Sequence, residues 1–306
     1  MIDPPASGDD ADPSTKAQSQ AKAKASLICE YKTLVPGATT TIAVAWELKP
    51  KWHMYWPGRN DTGEAPSIEF ELPKGFTTDA LQWPAPVRHV EGGDILSHVY
   101  FDRLTVLATL HVPATVEPGS TVTLKAKLAW MICEATCVPE QATVKLKIPI
   151  ALSREQPARS PQAGLIEAAR RRIPRDLEKH SKDVSISWVG KTVRIEAIAA
   201  THLSFYPDET CVALSNPIAD ADTDRSLMVL RLDDSEKGQS ALSGVLEIHR
   251  GKEDRQWVHI HSDPSAASTN PNPGRPTSLP PRPPTALPPS LPGVPVPSTP
   301  QPKPIP

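Results

Sequence analysis

VTLKAKLAWMI at residues 122–132 and ATVKLKIPI at residues 142–150 decide the fold of this chain. In both stretches apolar side chains occupy every second position, and lysine or threonine fills most of the positions between them. A period of two is typical of a β-strand with one buried face. The two stretches therefore predict neighbouring strands that turn their even-numbered side chains toward a core.

The same period recurs at residues 40–48 and 104–110. Turn-forming pairs such as Pro36-Gly37, Pro57-Gly58 and Pro118-Gly119 separate the alternating stretches. Short strands with frequent turns and no interleaved helices favour an antiparallel β-sandwich over a parallel sheet. We therefore predict a mainly β protein whose first domain is such a sandwich.

One connecting helix is predicted after the sandwich. Ser160 is a candidate N-cap, Pro161 suits the first helical position, and Pro174 ends the apolar pattern. A second strand-rich block follows, with strands predicted at residues 184–188, 193–198, 211–215, 227–232, 244–248 and 257–260.

Composition completes the predicted domain organisation. Residues 1–24 are polar and predicted to be disordered, and nearly half of the 36 prolines follow Asp263. The division is a disordered segment 1–24, the β-sandwich 25–152, a helical connector 153–180, a second β-rich domain 181–262 and a Pro-rich disordered tail 263–306. The tail favours polyproline II and predicts a spacer or a ligand for a Pro-binding domain.

The charge distribution argues against nucleic-acid and membrane-surface partners. Thirty-three Lys and Arg face 35 Asp and Glu, giving a net charge of -2, and neither sign is concentrated in one stripe. No apolar run approaches the ~18 residues of a transmembrane helix, so we expect no stable membrane insertion. The start, Met1-Ile2-Asp3-Pro4-Pro5, shows no basic region and no apolar region of a signal peptide.

The chemistry, if any, lies in WMICEATCVPE at residues 130–140. Four cysteines allow three pairings, and only Cys133 and Cys137 are close in the chain. The alternation places Cys133 on the face opposite the core, with Lys125 and Lys127. Two thiols across such a turn can reach the ~5.5 Å Cα separation of a disulfide. We predict that both lie on an accessible surface, where an incoming thiolate can attack.

The flanking residues leave alternatives open. Glu134 and Glu140 disfavour a thiolate, and no Lys, Arg or His lies within three residues, so we expect no strongly depressed thiol pKa. A thiol pKa that is not strongly depressed fits an electron carrier better than it fits a potent oxidant. A disulfide that only staples the hairpin fits the spacing equally well.

Two further alternatives concern metals and the other cysteines. A zinc site lacks a second close ligand pair. A Cu(I) site is conceivable from Met131, Cys133 and Cys137 with His53 or Met54. Cys29 and Cys211 are either small buried apolar residues or a disulfide that ties the two halves together.

Several motifs together resemble a known family. Trp130, Cys133, Cys137, Pro139 and Glu140 form a pattern similar to the cysteine signature of DsbD-like N-terminal domains. Upstream, Pro36-Gly37 and then WHMYW at 52–56 resemble that family's opening, and Asp61-Thr62-Gly63 resembles the family's segment after this opening. With downstream matches at 205–207 and 242–246, the resemblance covers about residues 25–260.

The resemblance implies an immunoglobulin-like sandwich outside the cytoplasm, in the periplasm, with a cysteine pair that cycles between dithiol and disulfide. Such a domain takes electrons from a membrane-embedded thiol reductase, here a separate chain, and passes them to thioredoxin-fold proteins. If active, it is a protein-disulfide reductase without cofactor or metal, and the family serves disulfide exchange and cytochrome c biogenesis. The alternative is a non-catalytic binding module with a structural disulfide, or a Cu(I)-handling domain.

The resemblance also assigns roles to residues. Cys137 is expected to form the mixed disulfide and Cys133 to resolve it. The supporting residues are expected to be Tyr55, His53, Trp56 and Trp130. Some members shield the pair with an aromatic cap loop, but the corresponding stretch 91–94, EGGD, has no aromatic residue. The nearest aromatic side chains, Tyr100 and Phe101, are predicted in the following strand.

Overall fold

A computed structural model describes residues 21–153, 157–177, 182–233 and 240–264. Most of the segment predicted to be disordered (1–24) and of the Pro-rich tail (263–306) lies outside the described residues. Strand β1 starts at Ala23, two residues inside the first of these segments. Within the described residues, no helix combines the length and the apolar character needed to cross a bilayer.

The first part of the chain is an antiparallel β-sandwich. Its strands are β1 (Ala23–Cys29), β2 (Thr39–Leu48), β3 (His53–Tyr55), β4 (Ser67–Glu71), β5 (Thr77–Thr78), β6 (Val87–Glu91), β7 (Ile95–Phe101), β8 (Arg103–His111), β9 (Thr121–Cys133) and β10 (Cys137–Pro149). One sheet has the order β1-β2-β8-β5. The other has the order β10-β9-β3-β7-β6, with β4 also paired to β9. The predicted fold class, a mainly β protein with an immunoglobulin-like sandwich, is confirmed.

The parity read from β9 is also confirmed. Its even-numbered side chains from Leu124 to Ile132, including Trp130, are buried in the core between the two sheets. Trp46 of β2 meets Trp130 edge to face, with ring centroids 5.9 Å apart. Burying large apolar side chains of this kind contributes about 1.5–3 kcal/mol each. The odd-numbered side chains of β9 are thereby fixed on the outer face.

The connecting helix, α1, runs from Ala163 to Arg170. It covers the outer face of the β1-β2-β8-β5 sheet with Ile166 and Ala169. The predicted N-cap, Ser160, is wrong, because its hydroxyl donates to the Cys29 carbonyl (2.6 Å) and the helix begins only after Gln162. The buried carboxylate of Glu30 instead ties the helix to β1, accepting from Arg170 at 2.6 Å.

The second strand-rich block contains two more sheets. Its strands are β11 (Arg175–Asp176), β12 (Val184–Val189), β13 (Thr192–Ala197), β14 (His202–Pro207), β15 (Asp222–Thr223), β16 (Leu227–Arg231), β17 (Leu242–His249) and β18 (Arg255–Ser262), with a short helix α2 (Pro217–Asp220). The sheet orders are β11-β18-β17-β14-β15 and β12-β13-β16.

The predicted strand at residues 211–215 is wrong. Its backbone bonds go to scattered partners, and only Leu214 forms an isolated bridge, to Leu232. Strand β14, which was not predicted, lies between β17 and β15 in the five-stranded sheet. The division of the chain into the five predicted segments stays a prediction.

The two blocks meet along a seam at the start of the loop after β3. Gly58 and Asp208 form a β-bridge, and the Arg59 amide donates to the Pro207 carbonyl (2.9 Å). Beside it, the buried ring of His98 lies between Trp56 and Tyr206, with centroid distances of 6.1 and 5.4 Å.

His98 is held at this seam as a neutral ring. Its Nδ1–H donates to the Arg59 carbonyl at 2.7 Å, whereas Nε2 is buried without a hydrogen-bond partner. Burial, assisted by the nearby Arg88, lowers the pKa of His98 to about 4. A second proton on this ring would be a buried charge without an acceptor, which is unfavourable.

Candidate functional site

A disulfide joins Cys133, the last residue of β9, to Cys137, the first residue of β10. The two residues are directly opposite in the strand register, and their Cα atoms are 4.1 Å apart. The residues between them, 134–136, form the exposed tip of the hairpin. Cys29 and Cys211 are free thiols buried in separate cores, so no disulfide ties the two halves together.

The two sulfur-bearing residues differ in exposure. Cys137 is exposed, whereas Cys133 is 2% exposed. The prediction that both lie on an accessible surface is therefore wrong for Cys133. Parity did place Cys133 on the outer face, but Tyr55, Val99 and Phe101 from other strands cover it there. Only the Cys137 end of the disulfide is exposed.

Two of the residues that cover Cys133, Tyr55 and Phe101, belong to an aromatic cluster, which we define as His53, Tyr55, His89 and Phe101. The centroid of the His53 ring lies 5.3 Å from that of Tyr55, 5.2 Å from that of His89 and 5.5 Å from that of Phe101. His89 and Phe101 are themselves 5.4 Å apart. Three strands contribute to this cluster: β3, β6 and β7.

Strand pairing explains why these side chains meet. In β3, His53 and Tyr55 share the outer face while Met54 between them is fully buried in the core. His53 lies opposite Cys133 in β9 and opposite Phe101 in β7. Tyr55 lies opposite Val99. The short strand β3 therefore sits between the disulfide and the aromatic side chains of β7.

The polar atoms of the cluster lead to the exposed sulfur. The Tyr55 hydroxyl is 3.8 Å from Sγ of Cys137, and Nε2 of His53 is 3.4 Å from that hydroxyl. Both His53 and Tyr55 are 3% exposed. Burial, and then the neighbouring His89, lowers the pKa of His53, so its ring is neutral near neutral pH.

A glycine fixes the Tyr55 ring. Gly63 adopts φ +82°, and a Cβ added to it would lie 2.2 Å from the ring. The loop that carries Gly63 is anchored by Asp61, whose amide donates to the Leu96 carbonyl (2.9 Å) and whose carboxylate accepts from the Leu96 amide (2.7 Å). The backbone of Gly63 thus lies against the Tyr55 ring, so any larger residue at position 63 would collide with that ring.

Residues 24–149 match the family model described as the thiol:disulfide interchange protein DsbD, N-terminal. The matched stretch includes the disulfide and the whole aromatic cluster. Residues 24–149 are therefore similar to the DsbD N-terminal family. The family and the Cys133–Cys137 disulfide together support a general role in thiol–disulfide interchange.

One solved structure extends the likeness in fold beyond residues 24–149. The N-terminal periplasmic domain of ScsB from Proteus mirabilis aligns with a TM-score of 0.50 at 13% identity, covering 79% of this chain and 94% of its own. The Neisseria meningitidis DsbD N-terminal domain in the reduced form aligns at 13% identity over 40% of this chain and 85% of its own, with a TM-score of 0.25. A search of curated proteins gave no match.

The two tryptophans expected to support the DsbD-like site lie elsewhere. Trp130 has even parity and is buried in the core, on the side of β9 away from the disulfide. Trp56 packs against His98 at the seam. Of the four expected supporting residues, the structure brings His53 and Tyr55 to the sulfur atoms and leaves both tryptophans in the scaffold.

The stretch expected to correspond to the family's cap loop is a turn without an aromatic side chain. Residues 92–94 connect β6 to β7, with Gly92 and Gly93 at positive φ and no aromatic side chain. Tyr100 and Phe101 lie in β7, as predicted. Phe101 joins the aromatic cluster, whereas the Tyr100 hydroxyl donates to the Pro84 carbonyl at 2.6 Å. Shielding in this DsbD-like domain therefore reaches Cys133 and leaves Cys137 exposed.

Two residues of the site were not assigned to it from the sequence. His89 and Phe101 come from β6 and β7, and their role depends on how these strands pair with β3. Of the glutamates flanking the cysteines, Glu134 is exposed at the tip, and Glu140 accepts hydrogen bonds from the amides of Lys22 and Ala23 at 2.6 and 3.3 Å. Within the described residues, no group of three or more His, Cys, Asp and Glu is arranged to hold a metal ion.

Proposed function

We propose that this protein is a thiol–disulfide exchange carrier that works through Cys133 and Cys137. In the disulfide state, a partner thiolate attacks Sγ of Cys137, forms a new S–S bond with it and expels Cys133 as a thiolate. A second thiolate of the partner then releases Cys137. The partner dithiol becomes a disulfide, and the protein takes up two electrons and two protons.

The unequal exposure of the two cysteines is the observation that carries this proposal. Disulfide exchange needs the attacking, central and leaving sulfur atoms in line, so only a sulfur reached from outside can be the central one. Cys137 is exposed at the hairpin end, and Cys133 is enclosed behind the aromatic cluster. We assign attack to Cys137 and the resolving role to Cys133.

A purely structural role for the disulfide has less support. The β9–β10 hairpin is held by a ladder that extends from Cys133↔Cys137 to Thr121↔Pro149. A disulfide that closes so short a loop adds only roughly 2 kcal/mol in the chain-entropy account. The bond is also at the exposed end of the hairpin rather than between the two sheets.

We further propose the partners and the compartment. Similarity to the DsbD N-terminal family supports an extracytoplasmic, periplasmic carrier that receives electrons from a separate membrane-embedded thiol reductase and delivers them to thioredoxin-fold proteins. The periplasmic domain that shares the fold is consistent with this compartment. In this role the protein acts as a protein-disulfide reductase.

Electron transfer through the pair is testable with two thioredoxin-fold proteins. Reduced thioredoxin, at about -270 mV, is expected to convert the Cys133–Cys137 disulfide to a dithiol, and oxidised protein disulfide isomerase, at about -180 mV, to reoxidise it. Quenching with acid, alkylating and weighing the protein by mass spectrometry gives the extent of each transfer.

The Cys137→Ser variant should transfer nothing. Cys211→Ala, which removes a buried thiol from the other core, should behave like the wild type. If neither thioredoxin nor protein disulfide isomerase exchanges with the wild-type disulfide within hours, the disulfide is only structural and the proposal is wrong.

A further inference from the structure

The aromatic cluster contains a chain of polar atoms that ends at the reactive sulfur. From Sγ of Cys137 the chain passes to the Tyr55 hydroxyl at 3.8 Å and on to Nε2 of His53 at 3.4 Å. Its inner members are almost completely buried, and Gly63 leaves the Tyr55 ring no room to move toward the loop. An apolar cover would protect Cys133 equally well, so the polar chain needs another explanation.

We propose that Tyr55 and His53 form a proton relay that activates Cys137 in the dithiol state. The thiol of Cys137 gives its proton to the Tyr55 oxygen while the Tyr55 hydroxyl passes its own proton to Nε2 of His53. His53 acts through Tyr55 and does not touch the sulfur. The inference rests on the proposed exchange function and names how the site generates its nucleophile.

The protons and electrons of this scheme balance over one oxidative half-cycle, in which the protein dithiol becomes a disulfide. Proton transfer leaves a Cys137 thiolate and a protonated His53. The thiolate attacks one sulfur of a partner disulfide, the partner's S–S bond breaks, and its second sulfur leaves as a thiolate. Cys133 then attacks Cys137, closes the protein disulfide and releases the first partner sulfur. The two protons of the protein dithiol end on the partner dithiol through solvent, and His53 returns to its neutral form.

The surroundings of His53 suit a proton acceptor. Tyr55, on the same strand, faces Nε2 of His53, and Cys133 of β9 lies opposite His53. The Phe101 ring of β7 packs on the His53 ring. His89 and Glu91 of β6 interact electrostatically with His53. Burial and then His89 hold the pKa of His53 below the ordinary value and Glu91 opposes them, so the ring is unprotonated before the transfer and Nε2 can accept from Tyr55. Burial disfavours the protonated ring, and the negative charge of the Cys137 thiolate formed in the same step offsets that cost. A hydrogen bond from Tyr55 to the developing thiolate favours that form.

Alkylation of Cys137 as a function of pH tests the relay. In the full-length Cys133→Ser variant, Cys137 lacks its disulfide partner, and the rate of its reaction with iodoacetamide reports the thiolate fraction. We expect Tyr55→Phe and His53→Phe each to raise the apparent pKa of Cys137 by about one unit and to slow alkylation about tenfold near pH 7. The double variant should be no slower than either single variant, because the two residues act in series.

Two further variants separate a relay from a structural effect. Tyr206→Phe removes another buried hydroxyl, one that donates to Glu247 at 2.6 Å, and should leave the profile of Cys137 unchanged. His53→Gln can accept a hydrogen bond from Tyr55 but cannot take up a proton, and should behave like His53→Phe.

Rescue by glutamine, or a Tyr55→Phe profile equal to the parent's, would overturn the relay. Because this alkylation assay involves no disulfide, its outcome is independent of the exchange assays. A failed relay with normal electron transfer is thus distinguishable from failure of the proposed function.

Discussion

The Cys133→Ser variant is expected to react with thiol reagents at least about 100-fold faster than the Cys137→Ser variant. The first variant keeps the exposed Cys137 thiol and the second keeps only Cys133, which is 2% exposed beneath the aromatic cluster. A buried thiol reacts only after local opening, and an opening free energy of about 3 kcal/mol slows the reaction by that factor. Stopped-flow reaction with a chromogenic disulfide gives both rates.

The same pair of variants tests the assigned roles in exchange. Cys133→Ser should accumulate a stable mixed disulfide with a thioredoxin-fold partner, since the resolving thiol is absent, whereas Cys137→Ser should accumulate none. In denaturant the two remaining thiols should react at equal rates, which shows that the folded structure causes the difference. Equal rates in the folded proteins would contradict the enclosure of Cys133.

Lowering the pH from about 7 to about 4 is expected to reduce the free energy of unfolding by about 3 kcal/mol through His98 alone. The folded pKa of His98 is about 4, against 6.5 for an unperturbed histidine. Below about pH 6.5 the unfolded chain therefore binds a proton that the folded protein does not. This contribution to stability is fully present above pH 6.5 and is lost progressively as the pH falls toward 4.

Other groups titrate in or near the same pH interval, so the test compares the pH dependence of stability between a His98 variant and the wild type. His98→Asn keeps an N–H near the position of Nδ1 that can donate to the Arg59 carbonyl, but it does not titrate. Urea unfolding at several pH values should give a shallower loss of stability for His98→Asn than for the wild type. Equal pH slopes would mean that His98 is not a neutral buried residue.

His259→Asn provides a control of opposite sign. The hydrogen bond to Asp208 (2.8 Å) raises the pKa of His259. Its contribution to stability is therefore present below the unfolded pKa of about 6.5 and is lost as the pH rises through the raised folded value. Removing it should make the loss of stability on acidification steeper than in the wild type.

Much of the scaffold could be predicted from the sequence because alternation is a local property. The parity of 122–132 identified the buried side chains of β9 and the outward direction of Cys133. Predictions from local sequence patterns were wrong where tertiary contacts determine the structure. Ser160 caps no helix because the Cys29 carbonyl takes its hydroxyl, and the apolar run at 211–215 is held by scattered backbone bonds instead of a strand partner.

The candidate site divides in the same way. The spacing of Cys133 and Cys137 made them candidates, and the WHMYW motif pointed to His53 and Tyr55. The burial of Cys133 depends on Phe101, and His89 packs on Phe101 and His53; these contacts form only because β7 pairs with β3 and β6 pairs with β7. Such pairing is non-local, so the pattern of one strand does not reveal which side chains will cover its outer face.

The central claim is that the Cys133–Cys137 disulfide exchanges electrons, and its redox equilibrium tests this most directly. The full-length protein would be equilibrated in glutathione buffers of graded potential, quenched, alkylated and analysed by mass spectrometry at Cys133 and Cys137. We expect a two-electron transition with a midpoint between about -180 and -260 mV, where exchange partners can both reduce and oxidise the pair. A pair that stays oxidised throughout, with a midpoint below about -300 mV, would be a structural disulfide and would contradict the claim.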